Sequence, residues 1–389
     1  MARFTGHKLY SGLIPAREGK FGDVLGIIHK GKYYIACKFP DGWRYTESEK
    51  WSDGGGGDTV ILPDVIYSNQ YHTVQLAYAA AKSSGKALVI VGTVDLHGVP
   101  LTLDAACQII SHNGVITNTG AACNGLYLTA NNIDIIGKLK IDGGSSNLIN
   151  IGFYSYGSSW DQIDNLYIYR TAKEGMKISG DAGAHLSKEN QYGKVLIRDC
   201  GQDASTSSFL EDIYCDNNFF DSLYVVGGNN TNRQMDFYAC RNVKISTMHS
   251  GGSLGSGVEF HNSANGCIVD NYVIGGHNKH GLILNGVSDC VFGSGLIHWN
   301  SKLSGSETVY DNIRIDSACH NNIIASVQTF GVKLAHVGET PKYGNYGLNI
   351  NSDSCVNTLI NQITIGEMGG TGGYRNVGVG TQIDQVITF

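Results

Sequence analysis

A repeat constrains this chain more than any other feature. From about residue 107 onward, one pattern returns roughly every 22 to 35 residues: a glycine or polar turn, a short alternating strand, a small polar corner, and a second short apolar strand. It is plainest in GVEFHNSANGCIVDNYVIGG (257 to 276) and GLILNGVSDCVFGSGLIHW (281 to 299). QMDFYACRNVKISTMHSGG (234 to 252) precedes them; YDNIRIDSACHNNIIASVQTFG (310 to 331) and YGLNINSDSCVNTLINQITIG (346 to 366) follow. A fixed period of this length, with strand-like alternation, is the signature of a β-solenoid. Stacking turns equivalent residues into columns, so the groups on one exposed face can be read from the sequence.

Composition agrees with many tight corners. Glycine accounts for 52 of 389 residues and proline for only 5. Charge density is low, 16% of residues with a net charge of −6, which excludes the basic stripe that a nucleic-acid binder needs. Six of the ten cysteines, Cys215, Cys240, Cys267, Cys290, Cys319 and Cys355, fall at a corner or second strand of a repeat. They read as small apolar fillers, reduced where the chain folds. A CxxC metal pair is absent, and no metal or cofactor is expected. No stretch approaches 18 apolar residues, so no membrane span is expected. The first twenty residues lack an apolar signal core, which implies synthesis in a cytoplasm without a signal peptide.

The expected organisation has four parts. Residues 1–52 form a small β-hairpin module, with strand-like runs around Lys30-Gly31-Lys32 and a turn at Pro40-Asp41-Gly42. Residues 53–72 are a glycine-rich linker and lead-in. Residues 73–92 hold a helix and a first strand. Thr73 caps that helix, Gly85 ends it, and Val74, Leu76, Ala77, Ala80 and Ala81 make its apolar stripe. Such a helix covers the open apolar end of the first coil. Residues 93–389 form an all-β parallel β-helix of about ten coils.

Alternate residues of a strand face outward. Aligning the first strand of each coil gives an outward column of Tyr127, Lys177, Asp212, Asp236, Glu259, Ile283, Arg314 and Asn349. The next residues, Leu128, Ile178, Ile213, Phe237, Phe260, Leu284, Ile315 and Ile350, are the inward column that sets the register. A second outward column contains Tyr214, Tyr238, His261 and Asp316. Three consecutive coils thus present Asp212, Asp236 and Glu259 about 5 Å apart, since stacked strands are spaced ~4.8 Å. Stacked like charges are unfavourable and push one pKa up, leaving one acid protonated and one ionised. That is the pair glycoside hydrolysis requires. Tyr214, Tyr238 and His261 would line the groove, with Lys177, Arg314 and Asp316 on the same face. The same column also reads as solvated surface charge, a cation site or a subunit contact. Glu211 falls where other coils have Met235, Val258 and Leu282. A buried glutamate is costly unless paired, so either Glu211 belongs to the catalytic set or the register of that coil is off by one. His277, His280 and His298 cluster near one edge and could orient a substrate or bind a metal, though scattered surface histidines are commoner.

The opening at 73 to 103, ending VDLHGVPLTL, looks like the start of pectate-lyase-like parallel β-helix proteins. The whole chain resembles bacteriophage tailspike or tail-fibre polysaccharide depolymerases, over roughly residues 60 to 389. The resemblance implies a right-handed β-helix, side-by-side assembly as a homotrimer, and attachment of the N-terminal module to a phage tail, baseplate or another fibre. It also implies a virion protein acting at the host cell surface on a bacterial surface polysaccharide. It transfers no catalytic residue, and the polygalacturonase signatures are missing. Three functions follow. The first is a hydrolase using Asp212, Asp236, Glu259 and Glu211. The second is a polysaccharide lyase with a Lys, His or Tyr base and either Arg or a cation to neutralise a uronate, for which Lys177, Tyr214, His261 and Arg314 could serve. The third is a receptor fibre that binds glycan without cleaving it.

Overall fold

The computed structural model describes residues 65–388 apart from 182–184, 203–206, 212–213, 230, 302–308, 331–344 and 367–371, together with the backbone of 24–29, 32–39 and 42–48. The chain divides into two units, Met1–Val65 and Ile66–Phe389. In the first, Val24–His29, Lys32–Phe39 and Gly42–Ser48 pair in sequence order as an antiparallel sheet. The turn residues expected at Lys30-Gly31 and Pro40-Asp41 lie outside the described residues. The glycine run 54–57 lies outside the described residues.

The second unit is an all-β parallel solenoid. Successive strands alternate between two long parallel sheets, one of fourteen strands and one of eleven. The eleven-stranded sheet sets the coil count at eleven, one more than the spacing predicts. Hydrophobic columns explain the stacking. On the smaller sheet Leu126, Phe153, Met176, Phe209, Met235 and Val258 lie in register and are wholly buried. Two residues further along each strand, Phe237 stacks on Phe260, with ring centroids 4.2 Å apart and planes 3° from parallel. Burying a large aliphatic or aromatic side chain contributes roughly 1.5–3 kcal/mol, and every coil repeats the gain.

The helix spans Val74–Ser84, its first turn capped by Thr73 Oγ1, which accepts from the Leu76 amide at 3.3 Å. Gly85 closes it in the left-handed conformation at φ 65°. Val74, Ala77, Tyr78 and Ala81 join the core beside Leu88, Leu101 and Leu103, so the helix packs on the first coil. Leu76 is 52% exposed and Ala80 is half-buried; the 3.6-residue period puts Tyr78 in the buried stripe instead.

One corner recurs with a left-handed residue: Asn132, Trp160, Glu189, Asn217, Asn242, Asp289, Asn321 and Asn357 all have φ between 54° and 60°. Asparagine and aspartate tolerate this region, and their side chains tie neighbouring coils together. Asn242 Nδ2 donates to Asp216 Oδ1, and Asn321 Nδ2 to Asp289 Oδ1, both at 3.0 Å. The six cysteines named above are buried thiols outside any disulfide, filling space beside these corners. Among the described residues no helix is long and apolar enough to cross a membrane.

Candidate active site

The outward face of the eleven-stranded sheet brings together Arg233, Asp236, Glu259 and His261. Strand Arg233–Tyr238 pairs in parallel with Ser256–His261, so Asp236 lies beside Glu259 and Tyr238 beside His261. Arg233 bridges the acids. Its Nη1 is 3.2 Å from Asp236 Oδ1 and its Nε 3.2 Å from Glu259 Oε2. A planar guanidinium with fixed donors suits two carboxylates at once. His261 Nε2 is 2.7 Å from Asp236 Oδ1. The same Nε2 lies 2.5 Å from Arg233 Nη1, so it stands between a carboxylate, which only accepts, and a guanidinium, which only donates. The four side chains of Arg233, Asp236, Glu259 and His261 are 17%, 14%, 12% and 10% exposed: reachable, but drawn well out of water. The Tyr238 ring meets His261 edge-on at 5.0 Å.

Burial raises the Glu259 pKa above its ordinary value. Arg233 and His261 oppose the shift, while the charges of Asp236 and Asp316 add to it. A carboxyl pushed toward its protonated form, beside another held in an ion pair by Arg233, is an arrangement able to donate and to accept a proton.

The expected triple-acid column is corrected. Leu210, not Asp212, occupies the position beside Asp236, and Glu211 pairs with Phe237 on the inward side. Asp212 lies outside the described residues. Three residues, 212–214, separate Glu211 from Cys215, whereas two separate Phe237 from Cys240. The extra residue moves the similar run Asp-Ile-Tyr one position along relative to Asp-Phe-Tyr. Glu211 is wholly buried, away from the open face its candidate catalytic role would need, and it lies beside Phe237 rather than Met235, so the register of that coil is off by one. Its Oε1 accepts from Asn218 Nδ2 at 2.8 Å, Oε2 has no partner among the described residues, and burial pushes its pKa up to about 7. Tyr214 leaves the Tyr238–His261 column as well. It sits at a corner in the left-handed conformation (φ 67°), two residues before Asp216, the partner of Arg241.

The remaining expected residues spread along the face. Lys177 lies two coils before Asp236 in the same column, its Nζ 5.5 Å from the Tyr154 ring centroid. Arg314 lies two coils beyond Glu259, with Ile283 between them. Its Nε donates to Asp316 Oδ2 at 2.6 Å, and Asn351 Nδ2 donates to Asp316 Oδ1 at 3.2 Å. His277 is wholly buried on the hydroxyls of Ser250 and Ser253, a structural position. Arg233 was not legible as a site residue. Strict alternation outward from Asp236 puts Gln234 outside and Arg233 inside. A local irregularity instead buries both Gln234 and Met235, with the Gln234 amide donating to the Gly227 and Gly251 carbonyls. Arg233 is thereby turned outward.

Among the described residues no group of three or more His, Cys, Asp and Glu is placed to hold a metal ion. No family model matches the sequence, and no curated protein matches it. Solved structures do. The Azotobacter vinelandii mannuronan C-5 epimerase AlgE6 A-module aligns at 12% identity and TM-score 0.53, covering 83% of this chain and 99% of that one. The AlgE4 A-module from the same organism aligns at 13% and 0.53, covering 83% and 97%. The Dettilon tailspike protein gp208 aligns at 12% and 0.40, covering 84% and 68%. At such identity the likeness concerns the fold, and the fold it bears out is the parallel β-helix.

Proposed function

We propose that this chain is a polysaccharide depolymerase of the tailspike kind, hydrolysing a bacterial surface polysaccharide with Glu259 as general acid and Asp236 as base or nucleophile. One observation carries the reading: two carboxylates stand on adjacent coils of one open face, joined by Arg233, with burial pushing the Glu259 pKa up. Tyr238 and His261 border them and can contact a sugar ring. The epimerase modules that share the fold are named for a polysaccharide substrate, which supports a glycan polymer as the ligand class. Virion attachment through the N-terminal module and homotrimer assembly belong to the same reading; light scattering and analysis of purified virions test them.

The expected experiment uses Asp236→Asn and Glu259→Gln. Each lowers release of oligosaccharides from host polysaccharide by at least about a hundredfold, the scale of lost acid–base catalysis, with melting temperature unchanged. Wild-type activity in both variants sinks the assignment. A lyase on the same fold would need a cation to neutralise a uronate. Arg233 and Arg314 each already engage carboxylates, at 3.2 Å and 2.6 Å, which favours hydrolysis. Ultraviolet-absorbing unsaturated products would reverse that order, and intact polysaccharide after incubation would favour a non-cleaving receptor fibre.

A further inference from the structure

We propose that His280 and Arg314 form a subsite for the carbonyl oxygen of an acylated sugar, an acetamido or O-acetyl group, lying two coils from the acid pair. The inference rests on the glycan reading above and adds a substrate class to it.

The argument starts with a tautomer. The backbone N–H of Asp311 donates to His280 Nδ1 at 2.9 Å. That contact uses the Nδ1 lone pair, so the ring proton of a neutral imidazole sits on Nε2. Nε2 faces Arg314 Nη1 at 3.4 Å. A guanidinium donates and never accepts, so two N–H donors converge with no acceptor between them among the described residues. A single oxygen about 2.9 Å from each nitrogen satisfies both. The other His280 neighbours do not change the tautomer. Asp311 Oδ2 stands 3.8 Å from Nδ1, beyond hydrogen-bond range, and is held by Asn349 Nδ2 at 2.9 Å. Burial, and then the Arg314 charge, hold the imidazole well below its ordinary pKa, at about 4, so the ring is neutral near pH 7.

The charge around the site selects the kind of oxygen. Asp316 already neutralises Arg314 through the 2.6 Å contact at Nε. A second carboxylate would meet Asp316 and Asp311, while the neighbouring cation, Lys279, is drawn to the Thr231 carbonyl at 2.8 Å; a neutral carbonyl meets two donors at no electrostatic cost. A hydroxyl oxygen could accept from both donors too, but it must also place its own proton, and the neighbouring Asp316 already accepts from Arg314 and Asn351. The methyl that accompanies an acyl carbonyl also has a place. Ile283 faces outward beside Arg314 in the column and is only 9% exposed. The Tyr310 ring packs edge-on against the imidazole at 5.0 Å. His280 is 6% exposed and the Arg314 side chain 30%, so the subsite has a dry back and an open mouth.

The test uses the full chain labelled with 15N-histidine. Long-range 1H–15N spectra report the His280 tautomer and its response to N-acetylglucosamine, a 6-O-acetylated methyl glucoside, glucose and glucuronate. The expected result is an Nε2-protonated ring whose signal shifts with the acylated sugars and not with glucose or glucuronate. Whichever acylated sugar binds more tightly separates amide from ester. Arg314→Gln weakens the response by about tenfold or more, the scale of one charge-assisted hydrogen bond, and keeps the tautomer. An Nδ1-protonated ring, equal shifts with glucose or glucuronate, or no shift with either acylated sugar overturns the proposal. The readout does not involve cleavage. A protein that shifts but never cleaves refutes the hydrolase reading alone; one that cleaves but never shifts refutes this subsite alone.

Discussion

Arg233 does for the two acids what solvent cannot. Two carboxylates side by side on a half-dry face repel, and a guanidinium bridging them at 3.2 Å on each side makes their proximity tolerable. The opposite economy operates one coil earlier. Glu211 points into the core with one oxygen bound to Asn218, the other unpartnered among the described residues, and a pKa pushed up to about 7. Below the ordinary value of 4.5 the group is protonated in both folded and unfolded states and costs nothing. Between there and about 7 the unfolded chain gives up a proton that the core retains, so stability falls as pH rises. Above about 7 the loss is constant, on the order of 3 kcal/mol. Glu211→Gln is therefore expected to stabilise the fold by that amount near pH 8 and by almost nothing near pH 4. Denaturant unfolding at the two values checks this, and an equal gain at both would show that the carboxyl stays ionised or solvated.

At the scale of elements, the coil and the helix were legible because their signals are periodic and repeated. The alternation in 257–276 and 281–299 locates strands Ser256–His261 and Leu282–Asn285 and assigns Phe260 and Leu284 to the core. Thr73 and Gly85 bound the helix in sequence and in structure. Thr73→Ala is expected to cost about 1 kcal/mol, the usual value of an N-cap, measured as a lower unfolding midpoint. If the midpoint does not move, packing on the first coil alone holds the helix. What failed to read were local departures from the period. The extra residue before Cys215 shifted one coil by a residue, and the glutamate at an inward position was its sign in the sequence, open to a catalytic reading as well. The paired inward residues Gln234 and Met235 concealed Arg233 for the same reason. A two-residue period cannot report where a strand spends an extra residue.

At the scale of the molecule, eleven coils share one axis, and the face that carries Lys177, Asp236, Glu259 and Arg314 is a single straight column. The order of chemistry along a bound polymer therefore follows the order of residues along the chain. Because coils come only in whole numbers, the gap between the proposed acid and nucleophile is quantised. One step of ~4.8 Å matches the ~5–5.5 Å gap of enzymes that keep the anomeric configuration, and fresh product is expected to show it by proton NMR. Two steps, ~9.6 Å, would leave room for an attacking water. Splicing one spare coil between residues 238 and 256 would thus ask a stereochemical question in units of secondary structure, with the handedness of the released sugar as the answer.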